Sequence, residues 1–527
     1  MSLIPKRKTL LAILSGVMLT ASFPPGQMDW LAWFALVPLL KSLEGEPPSK
    51  AFRLGFIAGL SHYLTLIYWI IVALKAYGGL NVIISSAIML LLCIYLSLYP
   101  ALFSVLVGYL KGSRFPAFIT AGVWVSLEYI RAGLLTGFPW CLLGYSQFRN
   151  LHLIQVVDMV GVYGISFLIL LANALIYLLL FNTRPRAGKK YLVLEIFILL
   201  AFGSAAMLYG NYRLSVEGEA SEQGKPLRIA IVQGNIDQSI KWDPVYQKVT
   251  VNRYRVLTET AYGFKPHLIV WPETALPFYF QERSELTEDL FRISEESGAR
   301  MIFGSPAYER TKGSIRYYNR TYWLSSKDLS TGYYDKVHLV PFGEYVPLKK
   351  FLPFVHRLVP AAGDFASGKD AVPLYMPDVT AGPLICYEAI FPELSRAQVK
   401  KGSELLINLT NDAWFGMTSA PYQHLSMSLF RAVENRRPLV RAANTGFSAF
   451  IDASGRITAV GNLFEQEVLM SEVKTWNSPL TFYCRYGDIF LYIILILCLI
   501  KFLRELCYHG LKLLSKNDLR EKSVVKT

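Results

Sequence analysis

The sequence predicts a multi-pass α-helical membrane domain joined to an α/β domain whose sheets are covered by helices. Two observations set this expectation. Apolar and polar residues are segregated along the chain: 9–210 and 486–500 are mostly apolar, whereas 211–485 has the mixed composition of a water-facing domain. The 53% hydrophobic and 17% charged content of the 527 residues reflects that division, since soluble domains carry roughly 25% charged residues. Within the middle block, short continuous apolar runs alternate with amphipathic stretches. Strands buried on both faces and separated by helices give this pattern.

A helix needs about 20 apolar residues to cross a bilayer. Candidate spans are 9–25, 28–42, 54–75, 79–110, 115–131, 158–181, 191–210 and 486–500, seven of them in a membrane domain over 1–210. The basic residues order them. Lys6, Arg7 and Lys8 precede the first span, and Lys50 with Arg53, Lys111 with Arg114, and Arg184 to Lys190 follow the second, fourth and sixth. The positive-inside rule puts these clusters on the cytoplasmic face. It also puts the tail 501–527, with seven Lys/Arg against three Asp/Glu, on that face. The first span lacks a small-x-small cleavage site and reads as retained. The domain 211–485 and the loop 132–157 then lie outside the cytoplasm. That loop, "TGFPWCLLGYSQF", has two readings: an interfacial belt with Phe138, Trp140 and Tyr145 at headgroup depth, or a lip beside the external domain.

The net charge of +14 follows topology and forms no DNA-reading helix or RNA motif, so nucleic acid is not a predicted partner. The six cysteines show no CxxC pairing, and Cys93 and Cys498 fall inside spans; neither disulfides nor a metal site are indicated. His62 reads as an interhelical hydrogen-bonding residue. The sequons at Asn319 and Asn408 fall inside strands and read as chance matches.

In the middle block "PLRIAIVQGNI", "HLIVWPE", "RMIFGSP", "RYYNRTYWLSS", "GPLICYE", "ELLINLTND", "PLVRAANTG" and "FSAFIDASG" read as strands. Helices are expected over 243–262, 284–298, 391–401 and 421–436. In such folds reactive residues lie where strands end. Glu273 ends "LIVWPE", Lys336 follows a strand-like segment, and Cys386 ends "LIC". Each alone has an ordinary reading: a cap or ion pair, a solvated lysine, a small buried apolar side chain. Together they offer a base, a cation that stabilises an oxyanion, and a nucleophile, which is what acyl transfer requires.

"WPETALP", "DKVHLVPFGEYVP", "CYEAIFPE" and "NLTNDAWFG" resemble the nitrilase superfamily. With the flanking spans and the stretch 410–452, the whole chain resembles its membrane-embedded branch, the apolipoprotein N-acyltransferases. The resemblance implies an α-β-β-α sandwich with Glu273 as general base, Lys336 as oxyanion cation and Cys386 as acylated nucleophile. It further implies that Glu344, Tyr387, Glu388 and Asn319 support the site, with Trp242 on a mobile element at the entrance and Trp140 in the membrane-side loop. Arg436 stands where the family pattern has glycine, and Thr418 where it has serine. The implied partners are a phospholipid acyl donor, a diacylglyceryl apolipoprotein acceptor and the bilayer, with no cofactor, a monomer, and a place in the bacterial inner membrane.

The stretch "LKKFLPFVHRLVPAAGDF" (348–365) is expected to form a lid that dips toward lipid. Two other readings stand beside acyl transfer. One is a membrane-tethered amidase that hydrolyses a small amide. The other is a transporter or scaffold without activity.

Overall fold

The computed structural model describes residues 5–76, 78–110, 113–181, 188–311, 313–325, 327, 331–345, 364–475 and 478–524, with 217–223 and 508–524 as backbone only. The expected lid lies outside the described residues except for Asp364 and Phe365. The membrane domain comprises α1 (Lys6–Ala21), α2 (Val37–Ser42), α3 (Pro48–Leu66), α4 (Trp69–Ala76), α5 (Val82–Leu110), α6 (Pro116–Gly133), α7 (Leu151–Ile154), α8 (Val157–Phe181) and α9 (Lys189–Gln223). Of these, α5, α8 and Lys189–Val216 are long and apolar enough to cross a bilayer, and α3 with α4 forms a further candidate bent by 51°. The segment 28–42, expected from its hydropathy to be one span, is not a single helix. A 3-10 turn at Asp29–Trp33 precedes α2, which starts at Val37 with Pro38 in its first turn, where proline fits a helix. α3 and α5 lie close together because a Cβ on Gly59 would stand only 2.9 Å from Ser97 Cα. His62 on α3 meets Thr20 on α1 at 2.9 Å, the interhelical contact expected of it.

The α/β domain has twelve described strands: β1 (Lys225–Gln233), β2 (Leu268–Val270), β3 (Arg300–Thr311), β4 (Ser314–Leu324), β5 (Thr331–Asp335), β6 (Leu374–Tyr375), β7 (Thr380–Ile385), β8 (Leu405–Thr410), β9 (Leu439–Ala443), β10 (Ala449–Ile451), β11 (Ile457–Val460) and β12 (Glu467–Thr475). They form two six-stranded sheets, ordered β12-β1-β2-β3-β4-β5 and β11-β10-β9-β8-β7-β6. The helices are α10 (Gln247–Glu259), α11 (Glu285–Ser297), α12 (Pro392–Lys400), α13 (Ala420–Asn435), α14 (Phe482–Tyr486) and α15 (Ile489–Val524). β11 and β12 were not anticipated: β12, "EVLMSEVKT", mixes charges into an edge strand, and it pairs antiparallel with β1 from Lys225↔Thr475 to Gln233↔Glu467.

Side-chain alternation sets the layers. Ile229 and Ile231 on β1 meet Leu405, Ile407 and Leu409 on β8 between the sheets. Ala230 and Val232 point the other way, under α10 and α11. Leu406 on β8 faces α12 and α13, whose apolar residues share one core with the membrane domain. Central strands are therefore buried on both faces, which is why their runs are continuously apolar. The order outward from the membrane domain is α12/α13, second sheet, first sheet, α10/α11.

The loop 132–157 lies in the junction. Trp140 and Tyr145 are buried there, which corrects the interfacial-belt reading. The Trp140 indole N–H donates to Gln423 Oε1 at 2.7 Å, and the Tyr145 hydroxyl accepts from Arg431 at 2.9 Å. Both partners sit on α13, so the polar ends of these rings are satisfied by protein, not by headgroups.

Candidate active site

Three strand ends deliver the predicted residues. Beyond β2, Trp271 stacks on Tyr254 at 4.8 Å, and the Pro272 carbonyl accepts the Gly304 N–H at 3.1 Å. This lays Glu273 and Thr274 directly across β3. A Cβ on Gly304 would come within 2.8 Å of Glu273 Cα, so the crossing requires glycine. Lys336 leaves β5, its N–H bonded to the Asn319 carbonyl on β4 at 2.9 Å. Cys386 ends β7 in a left-handed conformation, φ +52°, which costs a non-glycine residue free energy and marks a sharp elbow.

These side chains converge. Lys336 Nζ lies 2.9 Å from Glu344 Oε1 and 3.7 Å from Glu273 Oε1. Asn319 Nδ2 donates to the same two oxygens, at 2.9 and 2.8 Å. Burial alone would lower the Lys336 ammonium, but Glu344 and Glu273 hold it above its ordinary value. Burial, then the Glu273 charge, push the Cys386 thiol well up, against the downward pull of Lys336. A thiol held up in this way could act as a nucleophile only if a neighbouring base took its proton.

Glu388 joins the Lys336 and Cys386 segments. Its Oε1 accepts from the Val337 and His338 N–H groups at 2.7 and 3.0 Å and from the Tyr334 hydroxyl at 2.9 Å; its Oε2 accepts from Ile385 N–H at 2.7 Å. Burial raises its carboxyl to about 7 despite these donors. Tyr387 is buried edge-on to Phe391, which stacks on His338. Glu344 Oε2 takes the Val340 N–H at 2.8 Å, so Glu344 both orders its own loop and holds Lys336.

Trp242 is 47% exposed at the mouth of a cavity. Trp140 touches Trp69, Phe415 and His424 rings at 4.8, 5.9 and 5.8 Å. His424 Nε2 lies 3.2 Å from the Cys386 carbonyl. A carbonyl only accepts, so Nε2 carries the proton. Nδ1 lies 3.1 Å from both Asp412 Oδ1 and Arg441; burial and then Arg441 lower this imidazole, and Asp412 opposes them. Arg441 in turn pairs with Asp412 at 2.7 Å, and Asp412 accepts from Thr410.

Sequence reasoning missed this group, and it missed Lys241. That lysine is buried, with Nζ 2.7 Å from Thr274 Oγ1 and 3.3 Å from the Glu273 carbonyl. Burial lowers it to about 8, with Glu273 and Cys386 opposing. A lone lysine before Trp242 carried no signal beyond a solvated loop residue. The two departures from the family pattern also find an account. Arg436 adopts φ +51°, where glycine is easiest, and its guanidinium reaches Asp158 on α8 at 2.7 and 3.0 Å. The Thr418 hydroxyl bonds the Phe415 carbonyl and the Ala420 N–H, which serine would do equally.

A sandwich with these strand-end residues defines a carbon-nitrogen hydrolase domain. The family model described as "Carbon-nitrogen hydrolase" matches residues 228–476, and "Apolipoprotein N-acyltransferase N-terminal domain" matches 15–175. The chain is 46% identical to an apolipoprotein N-acyltransferase of Geobacter metallireducens, covering 92% of this chain and 93% of that one. Relatives of the same name from Methylococcus capsulatus and Pasteurella multocida are 34% and 31% identical. They cover 91% and 92% of this chain and 92% of their own length in each case. The chain belongs to the apolipoprotein N-acyltransferase family.

Proposed function

We propose that the protein moves a fatty acyl chain from a phospholipid, through a thioester on Cys386, to the α-amine of a diacylglyceryl-cysteine at a lipoprotein N-terminus. The observation that carries this is the convergence of Glu273, Lys336, Asn319 and Glu344 around the elbow at Cys386, in a domain seated on membrane helices. In the first half-reaction Glu273 takes the thiol proton as sulfur attacks the ester carbonyl. Lys336 and a backbone N–H near Tyr387 stabilise the oxyanion. The C–O bond breaks, Glu273 returns the proton to the departing lysophospholipid, and the thioester remains.

In the second half-reaction the amine attacks, the C–S bond breaks, and the amine proton passes through Glu273 to restore the thiol. An α-amine has an ordinary pKa near 8 and arrives mostly protonated, so a base serves this step too. Both substrates are anchored in lipid, which accounts for a catalytic domain packed against membrane helices. The charge pattern supports a multi-pass topology with the α/β domain on the periplasmic side of the inner membrane and both termini cytoplasmic. In this reading 211–485 is the catalytic domain, closed by a last span near 486–500.

Intact-mass measurement after incubation with phospholipid and no acceptor tests the proposal. The expected result is a fatty-acyl adduct that hydroxylamine removes and that Cys386→Ala lacks, with N-acyl transfer reduced by at least ~10³-fold. Free fatty acid or ammonia without an adduct would instead identify a hydrolase.

A further inference from the structure

Next to the elbow at Cys386 lie three buried polar side chains that the acyl-transfer steps above do not use: His424 of α13, Asp412 just beyond β8, and Arg441 of β9. Enclosing such groups is costly unless each one is satisfied. Arg441 pairs with Asp412 Oδ2 at 2.7 Å and is held further by Asn408, Ser428 and the Phe447 carbonyl. Thr410 donates to Asp412 at 3.0 Å, and a Cβ on Gly446 would collide with Asp412 Oδ2. His424 Nδ1 faces both an acceptor, Asp412, and a donor, Arg441, each at 3.1 Å. It is satisfied whether the ring is neutral or charged, and in both cases Nε2 donates to the Cys386 carbonyl at 3.2 Å.

That carbonyl belongs to the peptide joining Cys386 to Tyr387. The peptide is planar and trans, so its C=O and the Tyr387 N–H point in opposite directions. Tyr387 lies in the first turn of the 3-10 segment Cys386–Ile390, where an N–H has no acceptor within the helix. The layers set the two directions. α13 covers the outer face of the second sheet, whereas Glu273 and Lys336 extend from β2 and β5 of the first. Cys386 itself is held at φ +52°, a conformation that persists only where its surroundings fix it. Asn408 Nδ2 reaches the same carbonyl at 3.4 Å, but its shorter bond, 2.8 Å, goes to the Leu384 carbonyl.

We propose that His424 is a positioning residue for acyl transfer: by holding the Cys386 carbonyl on the α13 side it fixes the elbow and aims the Tyr387 N–H at the oxyanion beside Lys336. The inference rests on the acyl-transfer reading above. His424 touches no substrate and takes no proton in either half-reaction; Asp412 and Arg441 keep its ring in place. Both half-reactions form an oxyanion on the same acyl carbon, so one N–H serves both. The bond it makes is strongest when charge develops on that oxygen, so its loss falls on the rate of the chemical step and not on lipid binding.

The test uses full-length protein in neutral detergent and a pair of substitutions. In His424→Gln the amide nitrogen falls near the place of Nε2 and keeps a donor for Cys386. In His424→Asn it falls near Nδ1, within reach of Asp412 and Arg441, and the Cys386 carbonyl loses that donor. Acyl-enzyme formation from one phospholipid is followed by intact mass. Labelling of Cys386 by methyl methanethiosulfonate, a reaction without an oxyanion, is followed in parallel by peptide mass. In His424→Asn the acylation rate constant is expected to fall roughly ten- to hundredfold, with half-saturating lipid and the labelling rate unchanged. His424→Gln is expected to recover most of the acylation rate. Both rates are read at one cysteine, so their ratio does not depend on how much of a variant is folded. A ratio that the Asn substitution leaves unchanged overturns the inference, and so does a Gln variant as impaired as the Asn one. Unmodified protein that is labelled at Cys386 yet forms no acyl adduct would overturn the acyl-transfer reading instead.

Discussion

Helices α11 and α13 cover opposite outer faces of the two sheets, yet they meet different surroundings. α11 turns Glu285, Glu288 and Arg292 to water and buries Leu290 and Ile293. α13 buries nearly its whole length, with Arg431 and Glu434 paired at 2.7 Å and fully enclosed. Arg436, just past its end, pairs with Asp158 of the membrane domain. The outer half of the α/β domain thus meets solvent as soluble proteins do, while the inner half meets protein with charges it must satisfy internally. A buried pair is weak evidence for stability but strict about register, since a shifted partner strands a charge. We read the inner pairs as fixing how the catalytic domain sits on the membrane helices.

Removing one partner of the inner pair should have the largest effect on stability. Asp158→Ala leaves Arg436 buried without its carboxylate, and a loss of about 3–5 kcal/mol is expected. Thermal unfolding of the purified protein measures it; an unchanged midpoint would mean that the junction does not depend on this pair.

Glu388 spans the two halves, and its effect should depend on pH. Its folded value near 7 lies above the 4.5 of an exposed glutamate. Between those values the folded state keeps a proton that the unfolded state releases. The stability this contributes is complete below pH 4.5 and is lost as pH rises through 7, by about 3 kcal/mol in all. Glu388→Gln should remove that slope and weaken activity, because its amide turns N–H groups toward the Ile385 donor. Denaturant midpoints of both proteins from pH 4.5 to 8 decide the matter, and parallel curves would refute it.

The outer half supplies the contrast. Lys248 and Glu285 stand 3.7 Å apart with side chains 74% and 80% exposed. Lys248→Ala should change stability by less than about 0.5 kcal/mol. A larger shift in the same unfolding assay would erase the distinction drawn between the halves.

What could be read from the sequence follows the same division. Strand ends at Glu273, Lys336 and Cys386 were legible because apolar runs stop there and polar residues begin. The helices now seen at Glu285–Ser297 and Ala420–Asn435 were legible from their periodicity. Lys241, Asp412, His424 and Arg441 were not legible as parts of the site, since a buried charged residue looks like a surface one until its partner is known. Their partners lie far away in sequence. For Trp140 the sequence left a belt and a lip both open, for the related reason that an amphipathic ring suits a headgroup layer and a protein junction equally well. Its bond to Gln423 fits the lip. The break inside 28–42 escaped notice because hydropathy ignores where Pro38 allows a helix to begin.

The ladder between β1 and β12 has a consequence for how the molecule is made. Lys225 and Thr475 are direct neighbours, so the α/β domain is entered and left at one place, like a bead tied on by both ends of the same thread. A ribosome delivers 467–475 after every other strand of the domain, and until then one sheet edge stays open. α15 emerges next. α15 is therefore synthesised against a domain that has just become able to close. A pull from the membrane side through α9 and α14 then loads that one strand pair and leaves the strand ends at Glu273, Lys336 and Cys386 out of the line of force.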